Sequence, residues 1–163
     1  MIKSIYIVAL LFLTTDSANS CECICPDDCS FSVVYNSRSF VALIKVVSYV
    51  DYLDEGKTPY SMKVEIKKKY MGEKTKDTIK IWGDNGQECR PYISHFKIGD
   101  YYLIAPKQIG YHKLKNEEPK GYEFFSCSTD YLKVDIENEK AYGNYSRKKS
   151  KIKLSDFEEE MNK

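Results

Sequence analysis

Cysteine is the residue type in this chain best placed to do chemistry. Cys21, Cys23, Cys25 and Cys29 crowd into the run CECICPDDC, and Cys89 and Cys127 lie far downstream. Thiols so placed can form disulfides, hold a zinc ion, or exchange disulfides. Exchange is the weakest of these, because Cys21-Glu22-Cys23 and Cys23-Ile24-Cys25 are C-x-C pairs without C-x-x-C spacing, and no βαβ pattern surrounds them. An even count in an exported chain favours three bridges over a four-thiolate zinc site. Steric reach argues against Cys21 bonding Cys23 or Cys23 bonding Cys25. Each remote cysteine is therefore expected to capture one member of the cluster, with the remaining two closing a small loop. Bridges over such spans contribute on the order of 4 kcal/mol each through the unfolded state.

Other reactive groups are sparse. His95 and His112 are the two histidines, and no HExxH, GxSxG, GxGxxG or GxxxxGK[ST] pattern occurs. Both histidines read as loop or surface residues, and the expectation is a protein that is not an enzyme and holds no cofactor or metal of its own. The 25 Lys and Arg nearly cancel the 24 Asp and Glu, leaving a formal charge of +1. No global field draws the chain to nucleic acid. The run Lys67-Lys68-Lys69 mostly continues a solvated strand face. With 42% hydrophobic and 30% charged residues in 163, the chain suits one compact domain with a core, and neither disorder nor multiple membrane spans.

Residues 1–20 read as a secretory signal peptide: Lys3, the apolar run Ile5 to Leu13, then Ala18-Asn19-Ser20 before Cys21. A membrane span needs about 17 to 25 apolar residues, roughly twice this run. Acylation of Cys21 is the rival, disfavoured because Ala18 stands where a large aliphatic residue is usual and because five thiols would remain. The expected location is extracellular, or the periplasm or cell surface in a bacterium. Asn144-Tyr145-Ser146 is a glycosylation acceptor in a host with that machinery.

Past the cysteine cluster the apolar period is mostly two. Ser30 to Ser37 suits a short helix capped by Ser30. Phe40 to Tyr52 reads as a long strand, and Tyr60, Met62, Val64 and Ile66 alternate with Ser61, Lys63, Glu65 and Lys67 as a half-wet second one. Thr78 to Trp82, Tyr101 to Ala105 and Tyr122 to Cys127 supply three more, with a long loop from Pro106 to Gly121. Leu132, Val134 and Ile136 alternate beyond, and Ser155-Asp156-Phe157-Glu158 has the form of a capping box for an acidic helix near Asp156 to Met161. The expected fold is mainly β: a closed five-stranded antiparallel barrel of the OB type with one or two short helices, stapled by disulfides.

The order of these features resembles the netrin-like domain: C-x-C behind a signal peptide, the strand VALIKVV, YSMKVEIKKKYMG, a Cys before GDYYLIA, and a Cys ending the fifth strand. In particular, residues 21–127 are similar to the inhibitory domain of the tissue inhibitors of metalloproteinases, with 128–163 a C-terminal extension read as a hairpin-like segment plus the short acidic helix. The resemblance implies Cys21–Cys89 and Cys23–Cys127 pairs, leaving Cys25 with Cys29, a local bridge that departs from the family pattern. It also implies that the free amine and carbonyl oxygen of Cys21 chelate a protease's catalytic zinc while residue 22 enters the specificity pocket, flanked by Gln87 and Glu88. An α-amino group with a pKa of about 7.7 to 8.0 is partly the neutral ligand near neutrality.

Glu22 stands where the family favours a small residue. A carboxylate entering an apolar pocket loses its hydration without an assured partner. Two functions follow: a secreted metalloendopeptidase inhibitor acting through Cys21, or a non-inhibitory extracellular or cell-surface module that binds another protein. For the second, the candidate surface residues are Tyr101, Tyr102, Tyr111, Tyr122, Phe124 and Phe125, although alternation alone buries about half of such a set.

Overall fold

In the computed structural model, the residues described are 21, 23, 28–73, 77–110 and 121–163. The expected signal peptide lies outside them, as do Glu22, Ile24, Cys25, Tyr111 and His112. The elements are α1 (Phe31–Val34), a 3-10 turn at Tyr35–Ser37, β1 (Val41–Tyr49), β2 (Tyr52–Leu53), β3 (Thr58–Pro59), β4 (Ser61–Met71) and β5 (Thr78–Trp82). Beyond them come a 3-10 turn at Ile93–His95, β6 (Tyr101–Ile104), β7 (Lys107–Gln108), β8 (Tyr122–Glu123), β9 (Tyr131–Asp135), β10 (Lys140–Ser146), β11 (Lys149–Lys153) and α2 (Leu154–Met161).

A strand that is apolar at consecutive positions is stable only where both its faces are covered. Val41-Ala42-Leu43-Ile44 of β1 meets that condition. Ala42 and Ile44 enter a core with Phe40, Met62, Val64, Ile81, Phe96, Tyr102, Ile104 and Phe124. Val41 and Leu43 enter a second core with Phe31, Val34, Leu103, Leu132, Val134, Ala141, Tyr145, Ile152 and Phe157. Strand β6 alternates in the same way, with Tyr102 and Ile104 in the first core and Leu103 in the second. Burial, with the nearby Asp100 carboxylate next, pushes the Tyr102 phenol up to about 12.

The mainly β class agrees with the sequence reading, but the closed five-stranded antiparallel barrel does not form. Among the described residues one sheet of nine strands runs β11-β10-β9-β6-β1-β4-β5-β8-β7 and is not closed. The reason lies at the outer edge of β6. Closure would need that edge, and β9 occupies it, pairing Tyr101 with Val134 and Ile104 with Tyr131. Immediately after β6 the Ala105 N–H donates to the Asp130 carbonyl at 2.8 Å, and Pro106 has no N–H to give. Strand β7 then pairs with β8 (Lys107 with Glu123). The run from β6 through β1, β4, β5 and β8 to β7 thus rejoins itself through the covalent link Ala105-Pro106, not through a ladder.

Further expectations are corrected by packing. Strand β8 is two residues long, not Tyr122 to Cys127, and pairs parallel with β5. The expected long loop from Pro106 contains β7. Ser61, assigned to the wet face, is fully buried; its hydroxyl donates to the Asp51 carboxylate and accepts from the Asp51 N–H. Helix α2 starts at Leu154, so Lys153 is the N-cap, Ser155 lies inside the first turn, and no side chain caps the end. Ile136 is exposed because β9 ends at Asp135. Lys67 pairs with Glu65 (3.0 Å), Lys68 with Glu158, and Lys69 donates to the Glu73 carbonyl, so the lysine run is already partnered.

Residues 128–163 are an integral side of the sheet. Phe157 of α2 is fully buried, with ring centroids 6.0 Å from Phe31, 5.5 Å from Tyr35 and 5.0 Å from Tyr70. Phe157→Ala is expected to cost about 3 to 5 kcal/mol in urea unfolding. A loss below about 1 kcal/mol, in the range of ordinary surface changes, would mean that α2 is not docked on the second core.

Candidate functional site

The two remote cysteines sit on neighbouring loops, one following β5 and the other following β8. Parallel pairing of these strands, Ile81 with Tyr122 and Trp82 with Glu123, sends both chains out at the same end of the sheet. After β5 the sequence GDNGQE turns sharply. Asp84 Oδ1 accepts the backbone N–H groups of Gly86 (3.0 Å), Gln87 (3.1 Å) and Glu88 (2.9 Å). One carboxylate thereby fixes the three residues leading to Cys89, and Gly86 takes the positive φ of +94° that the turn requires.

After β8 a second carboxylate does the same. Asp130 is fully buried and accepts the Phe125 N–H (2.7 Å), the Ser128 hydroxyl (2.7 Å) and the Arg38 guanidinium (2.9 Å). The turn it closes carries Cys127. The Ser126 N–H donates to the Cys89 carbonyl at 2.8 Å, so the loops are joined directly.

Beneath them lies a buried ion pair. Arg90 and Glu123 are 3% and 5% exposed, a burial that such charges tolerate only when mutually paired. Arg90 Nε donates to Glu123 Oε2 at 2.8 Å, and another guanidinium nitrogen donates to the Gly83 carbonyl at 3.3 Å. Glu88 stands 3.7 Å from the same guanidinium. Arg90 follows Cys89 directly and Glu123 is four residues before Cys127, so this pair fixes the spacing of both anchors.

Onto this platform the N-terminal segment is bolted covalently. Cys21 is bonded to Cys89 and Cys23 to Cys127, with Cα separations of 5.6 and 5.1 Å. These are the two long-range pairs that the resemblance implied, and they span 68 and 104 residues. Both Cys21 and Cys23 are exposed. Cys29 is disulfide-bonded as well; the expected Cys25–Cys29 pair lies outside the described residues. The Cys29 carbonyl accepts the Thr129 N–H at 2.9 Å, tying the end of the cluster to the Cys127 turn.

Cys21, Cys23, Gln87 and Glu88 are thus brought to one ridge, with Gln87 exposed and Glu88 half-buried. Glu22 lies outside the described residues. No described cysteine is free, and no described group of three or more His, Cys, Asp and Glu is arranged to hold a metal ion. Of the aromatic candidates, Tyr102, Tyr122 and Phe124 are core residues. Tyr101 is half-buried under Lys45, Tyr111 lies outside the described residues, and Phe125 alone of the described set is exposed, beside Ser126 and the Cys127 anchor. His95 is an exposed residue of a 3-10 turn. No helix among the described residues is long and apolar enough to cross a membrane.

No protein-family model, curated protein or solved structure matches the chain.

Sequence reasoning missed the roles of Arg90, Glu123, Asp84 and Asp130, which hold the two cysteine-bearing loops. A signal existed for two of them: Glu123 is a lone charge within the otherwise apolar Tyr-Glu-Phe-Phe, and Asp84 opens a Gly-rich turn. Arg90→Met removes the guanidinium paired with the buried Glu123 carboxylate and is expected to cost about 3 to 5 kcal/mol in chemical unfolding. Adding Glu123→Leu should return most of that loss. A double variant no more stable than the single one would show that the pair does not set the platform.

Proposed function

We propose that the chain is a disulfide-stapled, netrin-like binding module that presents its N-terminal ridge to a zinc metalloendopeptidase and inhibits it through Cys21. The observation that carries this reading is the tethering of exposed Cys21 and Cys23 to Cys89 and Cys127 on two loops joined by the Ser126–Cys89 hydrogen bond. A terminus held in this way loses little chain entropy on docking. Disulfides are also compatible with an extracellular site of action.

In this reading the signal peptide is removed after Ser20, which frees the Cys21 amine. The neutral amine nitrogen and the Cys21 carbonyl oxygen take two positions on the partner's zinc and displace its water, which is the nucleophile of hydrolysis. Residue 22 enters the specificity pocket. Gln87 and Glu88, fixed by Asp84, line the flank of the wedge. The zinc belongs to the partner.

Glu22 favours a second reading for proteases with apolar pockets: the same ridge, with exposed Phe125 beside it, docks a protein without blocking an active site. The two readings separate by titrating the exported protein, its start residue established by intact mass, against a panel of zinc endopeptidases. Inhibition by the Cys21-initiated form, at least about a hundredfold weaker in a form extended by one Ala, supports chelation, since the extension converts the amine to an amide. Glu22→Thr should strengthen inhibition of enzymes with apolar pockets. Equal inhibition by the extended form, or none at micromolar concentration from either the processed protein or Glu22→Thr, sinks the inhibitor reading and leaves the module.

A further inference from the structure

The strongest unassigned feature lies away from the N-terminal ridge, on the hairpin β10–β11. Lys149, Lys151 and Lys153 alternate along β11 and so project from the same face, about 7 Å apart. Ladder pairing sets Lys140 opposite Lys153 and Tyr142 opposite Lys151. Lys140, Lys149, Lys151, Lys153, Ile152 and Asp156 line a single open groove. Two like charges held directly opposite one another across a ladder destabilise it. None of these four lysines forms an ion pair with a described residue, unlike Lys67 and Lys68 on β4.

An edge strand bearing lysines also resists pairing with another sheet, and that role would be served by charges spread along the edge. Here a fourth lysine from the neighbouring strand, Lys140, is held directly opposite Lys153 in the same groove. The groove adjoins the first turn of α2, whose N-cap Lys153 makes no side-chain capping bond, so the positive end of the helix dipole adds to the same field. The acids near this surface are Asp156 in the groove, Asp135, which pairs in register with Lys140, and exposed Glu139, whose carbonyl accepts the Leu154 N–H at the start of α2. Asp135 is already engaged by the Glu137 and Asn138 backbone N–H groups and the Asn138 side chain. Lys148, in the turn between the two strands, continues the positive track to the hairpin tip, whereas its neighbour Arg147 pairs with Asp28 at 3.6 Å.

We infer that this groove binds a linear sulfated polysaccharide, its sulfates lying along the row Lys149, Lys151 and Lys153 with Lys140 opposite. The groove favours this class of polyanion over others. Single-stranded nucleic acid is held by successive aromatic platforms, whereas the one exposed aromatic on this face is Tyr142. Stable docking to a lipid surface adds insertion of apolar side chains to electrostatic attraction, and the groove's one apolar residue, Ile152, is 5% exposed.

The test uses the full exported chain and a size-defined heparin oligosaccharide, with binding followed by calorimetry over a range of salt. The triple variant Lys149→Ser, Lys151→Ser, Lys153→Ser should bind at least about tenfold more weakly and with a shallower salt dependence, because fewer counterions are released. Asp156→Asn should bind more tightly, a gain that loss of fold cannot mimic. The control triple Lys63→Ser, Lys69→Ser, Lys97→Ser, exposed on other elements, removes the same charge and should bind as the parent does. Equal losses in the two triples would reduce the effect to net charge and overturn the proposal. So would equal binding of the de-sulfated oligosaccharide, or tighter binding of single-stranded DNA or of vesicles rich in phosphatidylserine.

Discussion

Strand β6 has hydrogen-bonding partners on both edges, and most of the architecture follows from that. With β1 on one side and β9 on the other, its backbone groups are fully engaged from Tyr101 to Ile104, so the sheet cannot close on itself there. The chain leaves the ladder at Ala105-Pro106, where the missing proline N–H ends the pairing, and re-enters against β8 as β7. Because both faces of β1 and β6 are covered, two hydrophobic cores form where a small barrel would have one. The second core exists only because residues beyond Ser128 add three strands and a helix to cover it.

The same topology builds the N-terminal ridge. Parallel pairing of β5 and β8 delivers two loops to one end of the sheet, and Asp84 and Asp130 each gather backbone N–H groups to hold those loops in shape. Below them the Arg90–Glu123 pair is deeply buried. A hydrophobic pair of similar volume could be as stable there; what the charges supply in addition is direction, since a guanidinium also reaching the Gly83 carbonyl has few alternative orientations. The disulfides then carry that geometry to the exposed residues 21 and 23. Covalent links across so many residues constrain the unfolded chain as well as the folded one, so they serve both stability and presentation.

Positive charge is distributed unevenly over a chain whose formal total is +1. On β4, Lys67 and Lys68 are matched by Glu65 and Glu158. On β11 three lysines share one face of the strand, with Lys140 of β10 opposite Lys153. The acidic residues of α2 are in part spent elsewhere, Glu158 on Lys68 and Glu160 on the Tyr145 hydroxyl, which leaves Asp156 as the acid in the groove. A nearly neutral protein can thus carry a local field that its composition hides.

The sequence by itself determined the mainly β class, the positions of β1, β4 and β5 and the half-buried character of β4, because alternation and β-branched runs are local properties read directly from residue order; the polar strands β10 and β11 carry no such signal. Thr78–Trp82 matches β5 at both ends for that reason, with Gly83 as its stop. The spacing of the cysteines, read with the family resemblance, also pointed to the two long-range bridges. Tertiary structure alone decided that the sheet stays open, because occupation of the β6 edge by β9 depends on a competitor more than twenty residues away in the chain. It alone decided that Ser61 is buried, since Asp51 is there to satisfy it, and that Glu123 is a structural partner of Arg90 rather than a surface charge. Pairings between remote segments leave no periodic trace in either partner, so they become visible only once the chain has brought them together.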